Sequence, residues 1–333
     1  MGSWATFWTT LGGLFSYEFM VRALVIGLLV SLCAALIGVS LVLKRYSMIG
    51  DGLSHVGFGA LAVAAALNWA PLAVCLPVVL VAAFLLLRLS ENSRLRSDAA
   101  IGLISASALA IGVTAISIRG GVNTDLENYL FGSILATTNV DLVLSVVVCL
   151  VVLLAFVVLY HRIFAVTFDQ DFAAASGMKS AVLNALIAGL TALIIVLGMR
   201  LMGALLISSL IIFPTLSALW LTRSFKGVTV TAAILAVVCF LVGLVVSYMS
   251  GTPTGATIVI ANLVAFLICY ASSKIRLATQ KGAGREAQRT AAGEARGGAL
   301  GATGRETERG ALLSAGEARG GALGATGREA KGE

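Results

Sequence analysis

Apolar runs of membrane-crossing length, separated by short polar punctuation, repeat along most of this chain. They fall at 20–43, 48–67, 70–88, 98–118, 140–160, 180–198, 202–222, 228–249 and 254–272. A helix needs roughly 20 consecutive apolar residues to cross the hydrocarbon core. The pattern therefore predicts an all-α, polytopic transmembrane helical bundle. Nine spans fit, and eight plus one broken or re-entrant segment is the alternative. Residues 1–19 carry Trp4, Phe7, Trp8 and Tyr17 and read as an interfacial N-terminal segment. Residues 20–273 form the transmembrane domain.

After residue 273 the pattern stops. The stretch 292–306 recurs unchanged at 315–329, and these Gly-Ala-Arg-Glu repeats hold almost no bulky apolar side chains. Such a segment cannot bury enough surface to offset its ordering entropy, so 274–333 is expected to be a disordered, low-complexity tail.

Composition agrees with the pattern: 59% of the 333 residues are hydrophobic and 12% charged. Mean hydropathy is +1.00, more apolar than a soluble core requires. The formal charge of +7 matters through its placement. One set of loops holds Lys44 and Arg45, then Arg88, Arg94 and Arg96, then Arg162 and Lys179, then Arg223 and Lys226, and finally Lys274 and Arg276. The opposite set holds little beyond Arg22, Arg119 and Arg200. The positive-inside rule makes the first set cytoplasmic, places the C-terminus inside and, with nine spans, the N-terminus outside. No aromatic-basic groove suggests nucleic acid as a partner. The five cysteines all lie in apolar runs without a C-x-x-C pair and read as small buried hydrophobes.

Against this background two ionisable residues stand out. Asp51 and His55 lie four apart in Met48-Ile-Gly-Asp-Gly-Leu-Ser-His-Val-Gly-Phe-Gly. Residues i and i+4 share a helix face, and a charge within the bilayer marks a function by default. Asp and His are ligands for divalent metals, so the pair reads as half of a metal site. Two chains related by a two-fold axis would supply two Asp and two His, a set that Zn²⁺ accepts tetrahedrally and Mn²⁺ can use with added ligands. The competing reading makes Asp51 a helix cap and His55 an interface histidine. Gly50, Gly52, Gly57 and Gly59 flank the pair and either permit close helix approach or bend the helix.

Other positions carry less. His161, beside Arg162, reads as a surface residue, and Arg200 as a snorkelling cation. Pro214 should kink the seventh span, with Ser208, Ser209 and Thr215 nearby. The loop 119–138, with Asn123, Asp125, Glu127 and Asn128, is placed to face an extracytoplasmic partner. Between spans five and six, Thr167-Phe-Asp-Gln-Asp-Phe-Ala-Ala-Ala-Ser-Gly177 has an N-cap candidate, early acidic residues and a terminal glycine. These predict a short cytoplasmic helix, suited to docking a soluble partner or lying on headgroups. The chain has no P-loop, H-E-x-x-H or G-x-S-x-G motif, which argues against ATP binding by a P-loop, metalloprotease and hydrolase activity.

Four segments in order carry a resemblance. Lys44-Arg-Tyr-Ser-Met-Ile-Gly-Asp-Gly-Leu-Ser-His55 resembles the basic pair and G-D-x-[LS]-x-H signature of the zinc/manganese permease subunits of bacterial ATP-binding-cassette metal importers. Phe168-Asp-Gln-Asp-Phe-Ala-Ala-Ala-Ser-Gly177 resembles the F-D-x-x-x-A-x-x-x-G coupling segment of that family. The run Leu197 to Pro214 resembles its G-x-x-x-x-G-A-L-L-I-x-x-x-x-x-P element, and Pro253-Thr-Gly-Ala-Thr-Ile-Val-Ile its late P-x-G-x-x-I/V element. The resemblance covers 20–272; the tail has no counterpart in it.

It implies a transport subunit and not an enzyme, with ATP hydrolysed on a separate cytoplasmic ATP-binding-cassette ATPase. A second permease subunit, in a homo- or heterodimer, and an extracytoplasmic metal-binding protein complete the assembly in the bacterial cytoplasmic membrane. Asp51 and His55 would line the ion path. Phe168, Asp169, Asp171, Phe172 and Gly177 would couple to the ATPase. No cofactor is held permanently; the cargo is Zn²⁺ first, Mn²⁺ next. The alternative is a self-contained, proton-coupled secondary metal transporter.

Overall fold

The computed structural model describes residues 18–91, 97–118, 132 and 139–276. The leading aromatic residues, most of the 119–138 loop and the repeat tail therefore lie outside the described residues. Contacts divide the chain into Met1–Ala271 and Ser272–Glu333. Of the second unit only 272–276 are described, as the last residues of a helix.

Among the described residues the regular structure is helical throughout. The elements are α1 (Glu18–Leu43), α2 (Ser47–Ala66), α3 (Pro71–Glu91), α4 (Ser97–Ile118), α5 (Asn139–Val158), α6 (Tyr160–Phe168), α7 (Gln170–Ala175), α8 (Ser180–Met202), α9 (Ala204–Leu221), α10 (Phe225–Ser250) and α11 (Thr254–Arg276). Nine of these are long and apolar enough to cross a membrane, all except α6 and α7. Each falls within a few residues of an expected span. With nine spans in alternation, the α1–α2, α3–α4, α5–α8 and α9–α10 connections, which carry the first set of Lys and Arg residues, fall at one end of the bundle.

Burial sorts the helices by composition. The windows of α1, α2, α8 and α9 are mostly buried inside the bundle, whereas α3, α4, α5 and α11 leave most of theirs exposed. The least hydrophobic span, α2, is among the most buried; the most hydrophobic, α5, is largely exposed. Lipid is the solvent for the outer helices, so the glycine- and polar-bearing helix gains most by sitting inside protein. α2 packs most extensively on α4 and α3, α1 on α10 and α9, and α8 on α3.

Small residues make this packing possible. At Gly59 an added Cβ would lie 2.5 Å from the Ala108 carbonyl oxygen of α4, and Gly112 faces the Gly59 Cα from the other side. Backbone therefore lies on backbone where α2 and α4 cross. The helix does not break: α2 is continuous from Ser47 to Ala66, so the glycines serve close approach and not a bend.

The α1–α2 connection is a tight turn. Tyr46 N–H donates to Leu41 O (2.8 Å) and Arg45 N–H to Val42 O (3.0 Å), with Arg45 at φ +62 where glycine is usual. Lys44 Nζ donates to Oδ1 of Asn184, a buried residue of α8, and ties the turn to the core. Helix α9 runs uninterrupted through Pro214. The hydroxyls of Ser208, Ser209 and Thr215 bond back to carbonyls three or four residues earlier in α9, so these side chains are satisfied within their own helix. All five cysteines are free and buried, as expected.

Candidate metal path and coupling surface

Asp51 stands five residues into α2, past the first turn whose N–H groups lack partners, and the N-cap is Tyr46 without a side-chain cap. The capping reading of Asp51 therefore fails. Asp51 and His55 are two of the few α2 residues that are not fully buried, with side chains 38% and 20% exposed. Together with exposed Met48 they form a stripe at i, i+3 and i+7 that is partly open, Asp51 more so than His55. From Ser47, Asp51 lies about 6 Å and His55 about 12 Å along a helix roughly 30 Å long.

The pair is held close but is not satisfied internally. Asp51 Oδ2 and His55 Nε2 are 3.7 Å apart, beyond hydrogen-bond range. His55 Nδ1 is buried and has no hydrogen-bond partner among the described residues. A carboxylate and an imidazole left open inside a membrane protein are costly unless something else completes their coordination. Both can donate lone pairs to one cation bound against the stripe. Within one chain the set stays at two: no group of three or more His, Cys, Asp or Glu that could hold a metal exists among the described residues.

The short helix that the sequence suggested within 167–177 is α7; a further helix, α6, precedes it, and the two meet at Asp169. Asp169 Oδ1 accepts the N–H of Phe172 at 2.8 Å, which makes it the N-cap of α7. At the other end Met178 N–H donates to Ala173 O and Gly177 N–H to Ala174 O, with Gly177 at φ +78. This is a Schellman stop, and it requires the left-handed residue that glycine supplies at no steric cost. Ala173 is fully buried against Val166 and Leu183, anchoring the short helix to the bundle. Asp169, Asp171 and Gly177 are exposed.

The outward face is aromatic. Phe168 and Phe172 are 60% and 63% exposed, and Phe164 43%. Tyr160, Phe164 and Phe168 follow one another at i, i+4 and i+8, and each packs on Phe225 at the start of α10, with ring centroids 5.3, 5.1 and 5.9 Å away. Large exposed rings stand at this end of the bundle, with Arg162 of α6 and Lys226 of α10 also exposed. His161 is exposed, as expected, its ring edge-on to Tyr160 at 5.5 Å.

Three features escaped the sequence reading. Arg200 does more than snorkel: its Nη1 lies 2.8 Å from Oδ1 of buried Asp141, joining α8 to α5 at the end opposite Lys44. A lone carboxylate in an apolar run was the available signal for Asp141. The i, i+4 spacing of Tyr160, Phe164 and Phe168 signalled α6. Nothing in the local sequence pointed to the Lys44–Asn184 contact. The loop residues Asn123, Asp125, Glu127 and Asn128 lie outside the described residues.

Nine candidate spans among the described residues, the polar-bearing α2 one of the most buried, with exposed aromatic rings at one end, make this a multi-pass membrane protein. A profile of the ABC 3 transport family matches residues 16–273. The chain belongs to that family, whose members are transport subunits and not enzymes in their own right. The high-affinity zinc uptake system membrane protein ZnuB of Haemophilus influenzae is 29% identical over 252 residues, covering 76% of this chain and 97% of the relative. The manganese import system permease protein ScaB of Streptococcus gordonii is 29% identical over 258 residues, covering 78% and 92%. Among solved structures, PsaBC from Streptococcus pneumoniae in complex with Fab superposes with a TM-score of 0.71 at 27% identity, covering 79% of this chain and 94% of that one.

Proposed function

We propose that this chain is the permease subunit of an ATP-binding-cassette importer for a divalent transition metal, zinc before manganese. The observation that carries the proposal is the Asp51–His55 pair on the partly open stripe of α2, with His55 Nδ1 buried and without a hydrogen-bond partner among the described residues. Two ligands per chain call for a second subunit. A copy related by a two-fold axis along the membrane normal would bring a second Asp and His to the same depth. The resulting two-carboxylate, two-imidazole set suits tetrahedral Zn²⁺; Mn²⁺ would recruit further oxygen ligands. No metal is held permanently, since a path ligand must release its ion.

The aromatic face of α6 and α7 supports docking of a separate ATPase at the Lys44–Arg45 end of the bundle, which positive-inside placement makes cytoplasmic. Phe168 and Phe172 would enter an apolar cleft of the ATPase as a short helix entering a groove. Asp169 and Gly177 hold the two ends of α7, and Asp171 offers a charge to the cleft rim. On the same topology the C-terminus is cytoplasmic and an extracytoplasmic metal-binding protein delivers at the opposite end. Family membership favours this reading over a self-contained proton-coupled carrier.

Uptake of radioactive Zn²⁺ and Mn²⁺ tests it, in cells expressing this chain with its ATPase and binding protein. Asp51→Asn and His55→Gln at matched membrane expression should each abolish ATPase-dependent uptake. Undiminished uptake in both variants, or uptake that persists without the ATPase, would overturn it.

A further inference from the structure

An open apolar groove of about 610 Å³ runs between α3 and α8 on the outside of the bundle, from Leu76 to Phe84 on one helix and Val182 to Leu193 on the other. Every residue lining it is apolar. Gly189 opens its floor: a Cβ added there meets nothing within 4 Å. From Val182 to Leu193 the groove is about 16 Å long at 1.5 Å per residue. That matches one leaflet of acyl chain, about 15 Å of a 30 Å hydrocarbon core.

Both helix stripes lead to a cation at the same end. Arg88 lies one turn beyond Phe84 on α3, and Lys179 precedes Val182 by three residues at the N-cap of α8; both are exposed. This is the end of the bundle that also carries Lys44 and Arg45. An apolar channel of leaflet depth closed by two cations complements one ligand chemistry, an acyl chain below an anionic headgroup. A second copy of the chain fits less well. A two-fold axis along the membrane normal would set both grooves at one depth and bring four cations together.

We infer that the α3–α8 groove binds an anionic phospholipid of the cytoplasmic leaflet, its headgroup on Arg88 and Lys179 and one acyl chain along Gly189. The site is distinct from the Asp51–His55 stripe, so it stands or falls independently of the transported ion.

Native mass spectrometry of the full chain purified with its ATPase, delipidated and then titrated with phosphatidylglycerol or phosphatidylcholine, tests the inference. Each juxtamembrane cation contributes about fivefold, so wild type should retain phosphatidylglycerol about 25-fold more tightly than phosphatidylcholine. R88Q/K179Q should bring that preference close to unity. Gly189→Leu, whose Cβ meets nothing within 4 Å and whose side chain extends into the groove, should displace the tightly held lipid whatever its headgroup. Equal retention of the two lipids by wild type would overturn the proposal, as would unchanged phosphatidylglycerol retention in both variants. So would a disulfide between two copies of a Val182→Cys chain, which would show the groove covered by protein.

Discussion

Replacing Gly59 by alanine adds one methyl group where α2 crosses α4. Its Cβ would sit 2.5 Å from the Ala108 carbonyl oxygen and 3.2 Å from that carbonyl carbon. Comfortable non-bonded separations begin near 3.5 Å, so the helices must part by roughly 1 Å. The obstacle is backbone and cannot rotate away, and overpacking of this kind costs about 1–3 kcal/mol. Gly102, also in α4, is the internal control, because a Cβ there meets nothing within 4 Å. Both substitutions gain the same helix propensity, about 0.5–1 kcal/mol, so the difference between them isolates the clash. A thiol-reactive dye provides the assay, since all five cysteines are buried and become reactive on unfolding. Gly59→Ala should unfold several degrees below Gly102→Ala in detergent and should lower uptake, because α2 also carries Asp51 and His55. Equal unfolding temperatures for the two variants would refute the backbone-on-backbone crossing.

Three further outcomes follow from the same contacts. Arg200→Gln removes the Arg200–Asp141 ion pair and should cost about 1–3 kcal/mol, discounted because Arg200 is partly exposed. Adding Asp141→Asn should recover part of the loss in a double-mutant thermal unfolding cycle. Phe168→Ala combined with Phe172→Ala should release the ATPase in pull-down and lower uptake roughly tenfold or more, by loss of aromatic anchors; Phe172→Ala alone should leave the unfolding temperature unchanged, since its ring is exposed, whereas Phe168 also packs on Phe164 and Phe225. Asp169→Ala removes the N-cap of α7 and should cost about 1 kcal/mol of local stability, read as faster amide exchange at Phe172.

The spans were legible because a bilayer imposes one length on every crossing, and nine runs of that length stand in the chain. Asp51 and His55 stood out for the complementary reason: in a lipid-facing composition, polar residues at helical spacing are conspicuous. Which helices form the centre was less open to reading. The low hydropathy of α2 hinted at its buried place, yet the neighbour of each glycine depends on tertiary packing. Helix α6 was hidden because Tyr160–Phe168 continues the apolar run of α5 with only a one-residue break at Leu159. The Asp141–Arg200 bridge was hidden because 59 positions separate its ends, and local periodicity carries no information at that range. Resemblance of four ordered segments pointed to the family that the profile match shows, and the coupling role proposed for Phe168 to Gly177 rests on that resemblance rather than on spacing.

The central claim is that two subunits share one transported ion through their Asp51–His55 pairs. Equilibrium dialysis of the purified complex against Zn²⁺, followed by metal analysis, measures it directly. The account predicts one ion for every two permease chains, lost in both Asp51→Asn and His55→Gln. One ion per chain, or a shared ion that survives both substitutions, would contradict it.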